Sequence, residues 1–252
     1  MLDLIKLRIR HGVQAIGDIR NAELMETHRG FPIIDESKEK NDWQNIVDIC
    51  PTNAITINPP AIDLGKCIFC GECERVSSGT IRFTNNYKVA ASKKESLVVT
   101  AGTEYAAYRA SAMEAQKKIH SMFGRSLKLR QVSAGGCNGC EMELSACGNV
   151  NFDMGRFGID FVASPRHADG IVITGPITKN MAPALMDAYR SMSEPKIVIA
   201  VGACAISGGA FADSDKLNRE FLESVQVDLF IPGCPPHPLT IINAILDFIR
   251  KK

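Results

Sequence analysis

The chain has 252 residues, 45% hydrophobic and 23% charged, with a net charge of +1 and the two signs interspersed. This is the composition of a soluble globular protein of one large or two modest domains, and it excludes a nucleic-acid surface and an acidic tail. No apolar run reaches the roughly 18 residues that cross a bilayer, and residues 1–10, with Lys6, Arg8 and Arg10 among the apolar ones, have no signal-peptide core, so a cytoplasmic location is expected.

Residues 1–30 read as an N-terminal arm, a helix or extended segment leaning on a partner. Nine cysteines follow, an odd number in a chain without a secretion signal, which points to metal or redox use rather than a disulfide framework. Cys67, Cys70 and Cys73 make three-quarters of the run C-x2-C-x2-C-x3-C-P found in two-cluster bacterial ferredoxins, and position 77 is Ser. In such proteins the fourth ligand comes from the other half of an internal duplication on a Cys-Pro, and Cys50-Pro51 supplies one. With a repeat of 27 residues, the second set of ligand positions falls on Lys40, Trp43, Ile46 and Ser77, none a thiol. The pattern predicts a small α+β ferredoxin-like domain over residues 31–95 that keeps one 4Fe-4S cluster on Cys50, Cys67, Cys70 and Cys73, with Trp43 and Ile46 filling the vacated site. Four thiolates also suit zinc, and single thiols pack in cores; the Cys-Pro paired with a distant C-x2-C-x2-C is the cluster pattern.

Helical spacing over 104–122, with Gly124 beyond it, predicts a helix inside a linking segment, 96–125. From residue 126 to 252 the periodicity alternates. Strands are expected at 127–132, 159–163, 170–174, 196–201 and 227–231, and helices at 141–148, 180–191, 215–224 and 237–249. This predicts an α/β domain with a flavodoxin-like parallel sheet. Ligands collect beyond the carboxyl ends of such strands, where Cys137 and Cys140, Cys204, and Cys234 all fall, so these four thiols are expected to hold a second 4Fe-4S cluster. The glycines around them, among them Gly139, Gly202 and Gly233, would let amides face its sulfurs. Candidates for a supporting role are Gly139, Glu141, Arg166 and His237. Structural roles are favoured for Glu141 and Glu143, structural or interface roles for Arg166 and His167, and a helix cap is the alternative for His237. Cys147 is expected to be a lone buried thiol.

Gly-Cys-Asn-Gly-Cys-Glu-Met-Glu from Gly136, Ser164-Pro165-Arg166-His167-Ala168-Asp169, Gly202-Ala203-Cys204 and Pro232-Gly233-Cys234-Pro235-Pro236 occur in an order that closely resembles the small iron-sulfur subunit shared by complex I and its related nickel-iron hydrogenases. The resemblance covers residues 130–250. It implies that the Cys137, Cys140, Cys204 and Cys234 cluster lies against a large subunit bearing nickel-iron, and that this chain passes single electrons between its two clusters without a catalytic site of its own. The spacing Cys137-x-x-Cys140 resembles the hydrogenase form, whereas the quinone-reducing branch has adjacent cysteines there. Uptake hydrogenase small subunits carry a further two-cluster region after the last motif, whereas this chain stops one helix after Cys234. The resemblance is therefore to the energy-converting, formate-hydrogenlyase-like group, with a fused ferredoxin-like domain. Its implied partners are the large subunit and additional ferredoxin-like or membrane subunits, with contact to the inner face of the cell membrane only through them and no nucleic acid. The other readings are a subunit of a complex I-like quinone oxidoreductase lacking nickel-iron, a stand-alone two-cluster carrier and a zinc-stabilised scaffold.

Overall fold

The computed structural model describes residues 2–35, 43–113 and 126–249. In chain order they form α1 (Leu2–His11), β1 (Pro32–Ile34), α2 (Trp43–Asp48), β2 (Ile55–Ile57), β3 (Pro60–Asp63), α3 (Glu72–Val76), β4 (Ile81–Phe83), β5 (Val98–Thr100) and α4 (Tyr105–Ala112). The second half adds β6 (Leu127–Ser133), α5 (Gly139–Ala146), β7 (Ile159–Phe161), β8 (Gly170–Thr174), α6 (Met181–Arg190), β9 (Ile197–Val201), α7 (Ala203–Ser207), α8 (Glu220–Ser224), β10 (Leu229–Ile231) and α9 (Pro238–Ile249).

In the first half, β1-α2-β2 and β3-α3-β4 are two copies of one unit. Shifting the first copy by 27 positions lays α2 on 70–75, beside α3, and β2 on 82–84, beside β4. The copies interlock, β1 pairing antiparallel with β4 and β2 with β3, and β5 extends the second sheet from β3. Residues 98–100, expected in the linking segment, thus belong to the small sheet. Ile46 is 1% exposed and Ser77 is fully buried, and Trp43 packs against the same core. The Ser77 hydroxyl accepts the Ile81 N–H at 3.0 Å, so in place of a ligand it closes a turn. Lys40 lies outside the described residues.

The second half is a five-stranded, wholly parallel sheet in the order β10-β9-β8-β6-β7, the flavodoxin-like arrangement. β8 (GIVIT) and β9 (IVIAV) are buried at every position, as central strands covered on both faces must be, and their β-branched residues suit the pleat. The chain turns back between β7 and β8, which opens the crevice of the sheet at the carboxyl ends of β6 and β8. Every residue of α9 except Asp247 is buried, so this helix is covered all round, and its few polar residues, Thr240, Asn243 and Asp247, share one face.

Of the expected helix over 104–122, Tyr105–Ala112 is helical and Met113 is already extended; positions 114–122, and Gly124, lie outside the described residues. The helix expected over 215–224 shrinks to α8. The short α7, which carries Cys204, has too few turns to display a period and goes unread in the sequence.

The two halves share one core that runs from Phe31, Ile46 and Leu97 to Ile171, Ala200 and Ile206. Ala91 also bonds the main chain of Phe230 in edge strand β10, N–H to carbonyl in both directions at 3.0 and 2.8 Å. Residues 16–24 pass over both halves as a strap. The Asn243 side chain donates to the Ile19 carbonyl at 2.9 Å, Tyr87 Oη to the Ala22 carbonyl at 2.7 Å, and Asn85 to that of Leu24 at 2.9 Å, while Arg20 pairs with Asp247.

Candidate metal centres

Cys50 follows α2, Cys67 and Cys70 lie in the loop after β3, and Cys73 is in α3. The loop can fold this tightly because Phe69 and Gly71 adopt left-handed backbone (φ +55° and +82°), which turns the Phe69 N–H back onto Cys67 Sγ at 3.3 Å. Across the site, the Ala54 N–H points at Cys50 Sγ, also at 3.3 Å. All four cysteines line one cavity with Ile55, Ile62 and Phe83. Burial pushes the Cys67 thiol up to about 12, with Cys73, Cys50 and Cys70 adding repulsion, and the Cys73 thiol up to about 11 by burial and then by Cys50 and Cys70.

The second set assembles on the carboxyl edge of the large sheet, its thiols brought there by three different strands. Cys137 precedes α5 and Cys140 sits in its first turn, Cys204 lies in α7 after β9, and Cys234 follows β10. The last two loops are laced together by the Gly202 N–H donating to the Ile231 carbonyl at 2.8 Å and the Ala203 N–H to that of Gly233 at 2.9 Å. Gly202 (φ +89°) is required here: a Cβ would stand 2.5 Å from Cys140 Sγ. A Cβ on Gly139 would lie 3.6 Å from both Cys137 Sγ and the Pro235 ring, so these motifs meet. Burial pushes Cys140 up to about 12 and Cys204 up to about 11; the other thiols of the set, and Glu141 beside Cys140, add to this, and Arg219 opposes it at Cys204.

Both sets fit a metal-sulfur core. Each joins four thiols from separate loops that repel one another on ionising, a costly arrangement unless a cationic centre lies among them. Amide N–H groups already point at two sulfurs of the first set, and the second has a glycine where a side chain would displace a thiol. Among the described residues no three His, Cys, Asp or Glu side chains converge tightly enough for a single ion; a four-iron core instead takes one thiolate at each of four separated corners.

Glu141 ties the second site together. Its Oε1 accepts the hydroxyls of Ser133 at 2.6 Å and Thr174 at 2.7 Å, joining α5 to the ends of β6 and β8. Burial opposes its ionisation, but the two hydroxyls outweigh this and hold the carboxyl below its ordinary value. Burial alone raises Glu143. His237 is the cap of α9, its Nδ1 accepting the Leu239 N–H at 3.1 Å. Arg166 and His167 are exposed on a short turn after edge strand β7. Cys147 is fully buried, and its thiol donates to the Glu143 carbonyl at 3.2 Å.

Arg219 carries no signal in the sequence. Its guanidinium donates to the carbonyls of Pro176 (3.0 Å), Cys204 (3.1 Å), Ala205 (2.8 Å) and Ile206 (3.0 Å), closing the carboxyl end of the helix that bears Cys204. Arg29 is equally silent, donating to the Phe69 carbonyl at 3.1 Å.

Residues 137–248 match the family model described as NADH ubiquinone oxidoreductase, 20 kDa subunit. The chain is 40% identical over 134 residues, 53% of its length and 80% of the relative's, to the probable membrane-bound hydrogenase subunit mbhJ of Pyrococcus furiosus. It is 47% identical over 112 residues, 44% of its length and 65% of the relative's, to an NADH-quinone oxidoreductase subunit of Citrifermentans bemidjiense. Among solved structures, a chain of the membrane-bound sulfane sulfur reductase, an archaeal respiratory membrane complex, aligns with 30% identity and a TM-score of 0.44, covering 49% of this chain and 68% of that one.

Proposed function

We propose that this chain, which belongs to the family of the NADH ubiquinone oxidoreductase 20 kDa subunit and is a component of an oxidoreductase, is the electron-transfer subunit of a nickel-iron hydrogenase and carries two 4Fe-4S centres. The observation that carries the reading is the presence of two independent sets of four mutually repelling cysteine thiols. One set lies in a duplicated βαβ unit, the other at the carboxyl edge of the parallel sheet. Cys50, Cys67, Cys70 and Cys73 would hold the N-terminal centre, and Cys137, Cys140, Cys204 and Cys234 the centre facing the large subunit. The duplicated unit supports a ferredoxin-like first domain, with its boundary drawn after β5.

A four-iron centre, when bound, takes up and releases one electron at a time. The chain's own residues then have three tasks. The cysteines fix each centre in place, and buried Ile55, Ile62 and Phe83 help keep water from the first one. The amides of Ala54 and Phe69 stabilise added negative charge on sulfur. Glu141 and Arg219 fix the helices that bear Cys140 and Cys204. Met142 is 66% exposed beside Cys140 and Phe211 is 48% exposed just beyond α7, which gives this edge apolar side chains for a partner such as a nickel-iron large subunit.

The Cys137-x-x-Cys140 spacing and the mbhJ similarity favour hydrogenase; the similarity to an NADH-quinone oxidoreductase subunit keeps a quinone-reducing assembly as the second reading. No helix among the described residues is long and apolar enough to cross a membrane, so association with one would run through other subunits.

Anaerobically isolated protein should contain about eight irons and eight acid-labile sulfides, two four-iron centres. Cys70→Ser should remove one spin-resonance signal and leave the other. Loss of both signals, or about four irons in the unaltered chain, refutes the two-centre reading. Two C-x-x-C pairs in the co-purifying large chain, with nickel bound, would select hydrogenase over quinone reductase.

A further inference from the structure

The two cysteine loops meet at a cleft. It is lined by residues 27–30 of the N-terminal arm, by Ile68 and Phe69 of the first cysteine loop, by residues 232–237 of the last one, and by Val89 and Thr240. The wall made by the arm is firmly placed. The Gly30 N–H donates to the Thr84 carbonyl at 2.6 Å and the Phe31 N–H to that of Asn86 at 2.8 Å, and a Cβ on Gly30 would fall 2.1 Å from the Asn86 oxygen. The arm therefore lies too close to this segment for any residue but glycine at position 30.

Arg29 projects from that wall over the first cysteine loop. Its Nη1 donates to the Phe69 carbonyl, and its Nε lies where a Cβ on Gly71 would be only 2.6 Å away, so the guanidinium covers the backbone on either side of Cys70. Two histidines complete the wall, with His28 edge-on to His237 at 5.9 Å and His237 edge-on to Phe152 at 5.6 Å. Burial, and for His28 the neighbouring Arg29, lower both imidazoles below their ordinary value, so they are neutral near pH 7. Arg29 is then the one charged residue lining the cleft, and it makes no ion pair among the described residues. The nearby Glu72 is paired with Arg75.

We propose that Arg29 is an electrostatic component of the N-terminal centre, its fixed positive charge favouring the reduced state of the group held by Cys50, Cys67, Cys70 and Cys73 and so keeping that group's potential high. The inference rests on the two-centre reading above. An electron entering the centre adds one negative charge to it, while the guanidinium is matched by no carboxylate of its own among the described residues. The net charge of its surroundings is among the determinants of a cluster's potential. Arg29 touches the Cys70 loop directly and faces Cys234 only across the cleft, so the effect belongs mainly to the N-terminal centre and biases the electron toward it.

The test is a redox titration, followed by spin resonance, of the anaerobically isolated full chain with the partners it carries, in the unaltered protein, Arg29→Gln and Arg29→Lys. The signal that disappears in Cys70→Ser identifies the N-terminal centre. Arg29→Gln is expected to lower that centre's midpoint by about a tenfold change in its one-electron equilibrium, ~59 mV, with iron content intact and the other centre moved less. Arg29→Lys, which keeps the charge, should stay near the unaltered value. An unchanged midpoint in Arg29→Gln overturns the proposal, as does an equal fall in Arg29→Lys. Loss of iron from the N-terminal centre in Arg29→Gln also overturns it, since the Phe69 hydrogen bond would then be the contribution. A single four-iron centre in the unaltered chain would instead refute the two-centre reading itself.

Discussion

At the scale of single residues, the side chains that hold the cysteines are as specific as the cysteines. Arg219 spends its fork on four carbonyls, three of them in α7, and is half-buried, so burial lowers it from its ordinary value. Removing it leaves buried carbonyls without donors at the end of the helix that carries Cys204. Arg219→Ala should destabilise the protein by about 2–3 kcal/mol in anaerobic urea unfolding, the range for charged hydrogen bonds. Arg219→Lys should lose about half as much, since it keeps the charge without the planar fork. An Arg219→Ala protein as stable as the parent would mean that α7 does not need its cap. Glu141 does the comparable job for Cys140 through two hydroxyls.

At the scale of elements, the informative case is α9, whose first turn is capped by the ring of His237. Burial and then His28 hold that imidazole at about 4, against an ordinary 6.5, and Arg29 stands behind His28 in the same cleft. Because the folded state disfavours protonation, His237 contributes stability that is fully present above pH 6.5 and is lost as pH falls toward 4. His237→Asn retains a cap acceptor without a titrating group, so its stability, followed by urea unfolding between pH 7 and 5, should fall less steeply than the parent's. Equal slopes would show that His237 does not titrate between these states. Elements also show what the sequence could reveal. The repeat of 27 was legible because it recurs in the cysteines and in the residues standing in their places, and Ile46 and Ser77, two of those residues, are buried. The parallel sheet was legible from the alternation of strand-like and helix-like runs. The three-residue strands of the first half and α7 were not, since they are shorter than any period that could reveal them. Arg29, Arg219 and Asn243 left no trace because a carbonyl 13 to 224 residues away, belonging to any residue type, is an acceptor without a sequence signature.

At the scale of the molecule, the two halves are joined by a shared core, by the Ala91–Phe230 bridge and by the strap. Asn243 is fully buried and its Nδ2 serves the Ile19 carbonyl and, at 3.0 Å, that of Leu239, while its Oδ1 has no partner among the described residues. Asn243→Ala removes the donor along with the unpaired oxygen and should cost about 1 kcal/mol. Asn243→Asp sets a carboxylate against two carbonyls and should cost ~3 kcal/mol. Urea unfolding gives both values, and faster protease cleavage within residues 12–30 would show that the strap is what loosens. If the two variants were equally stable, the strap would not depend on this side chain. α1 stands apart from this framework, with Leu2, Leu4, Ile5, Leu7 and Ile9 all more than half exposed.

The strap has a consequence for how the protein is made. Ile19 leaves the ribosome 224 positions before Asn243. At translation rates of about 5–20 residues per second, roughly 10–45 s separate them. For most of that interval the nascent first half, with its cysteine loop already synthesised, lacks the clasp that joins it to α9, so any factor delivering iron and sulfide co-translationally would meet an open, unfastened protein.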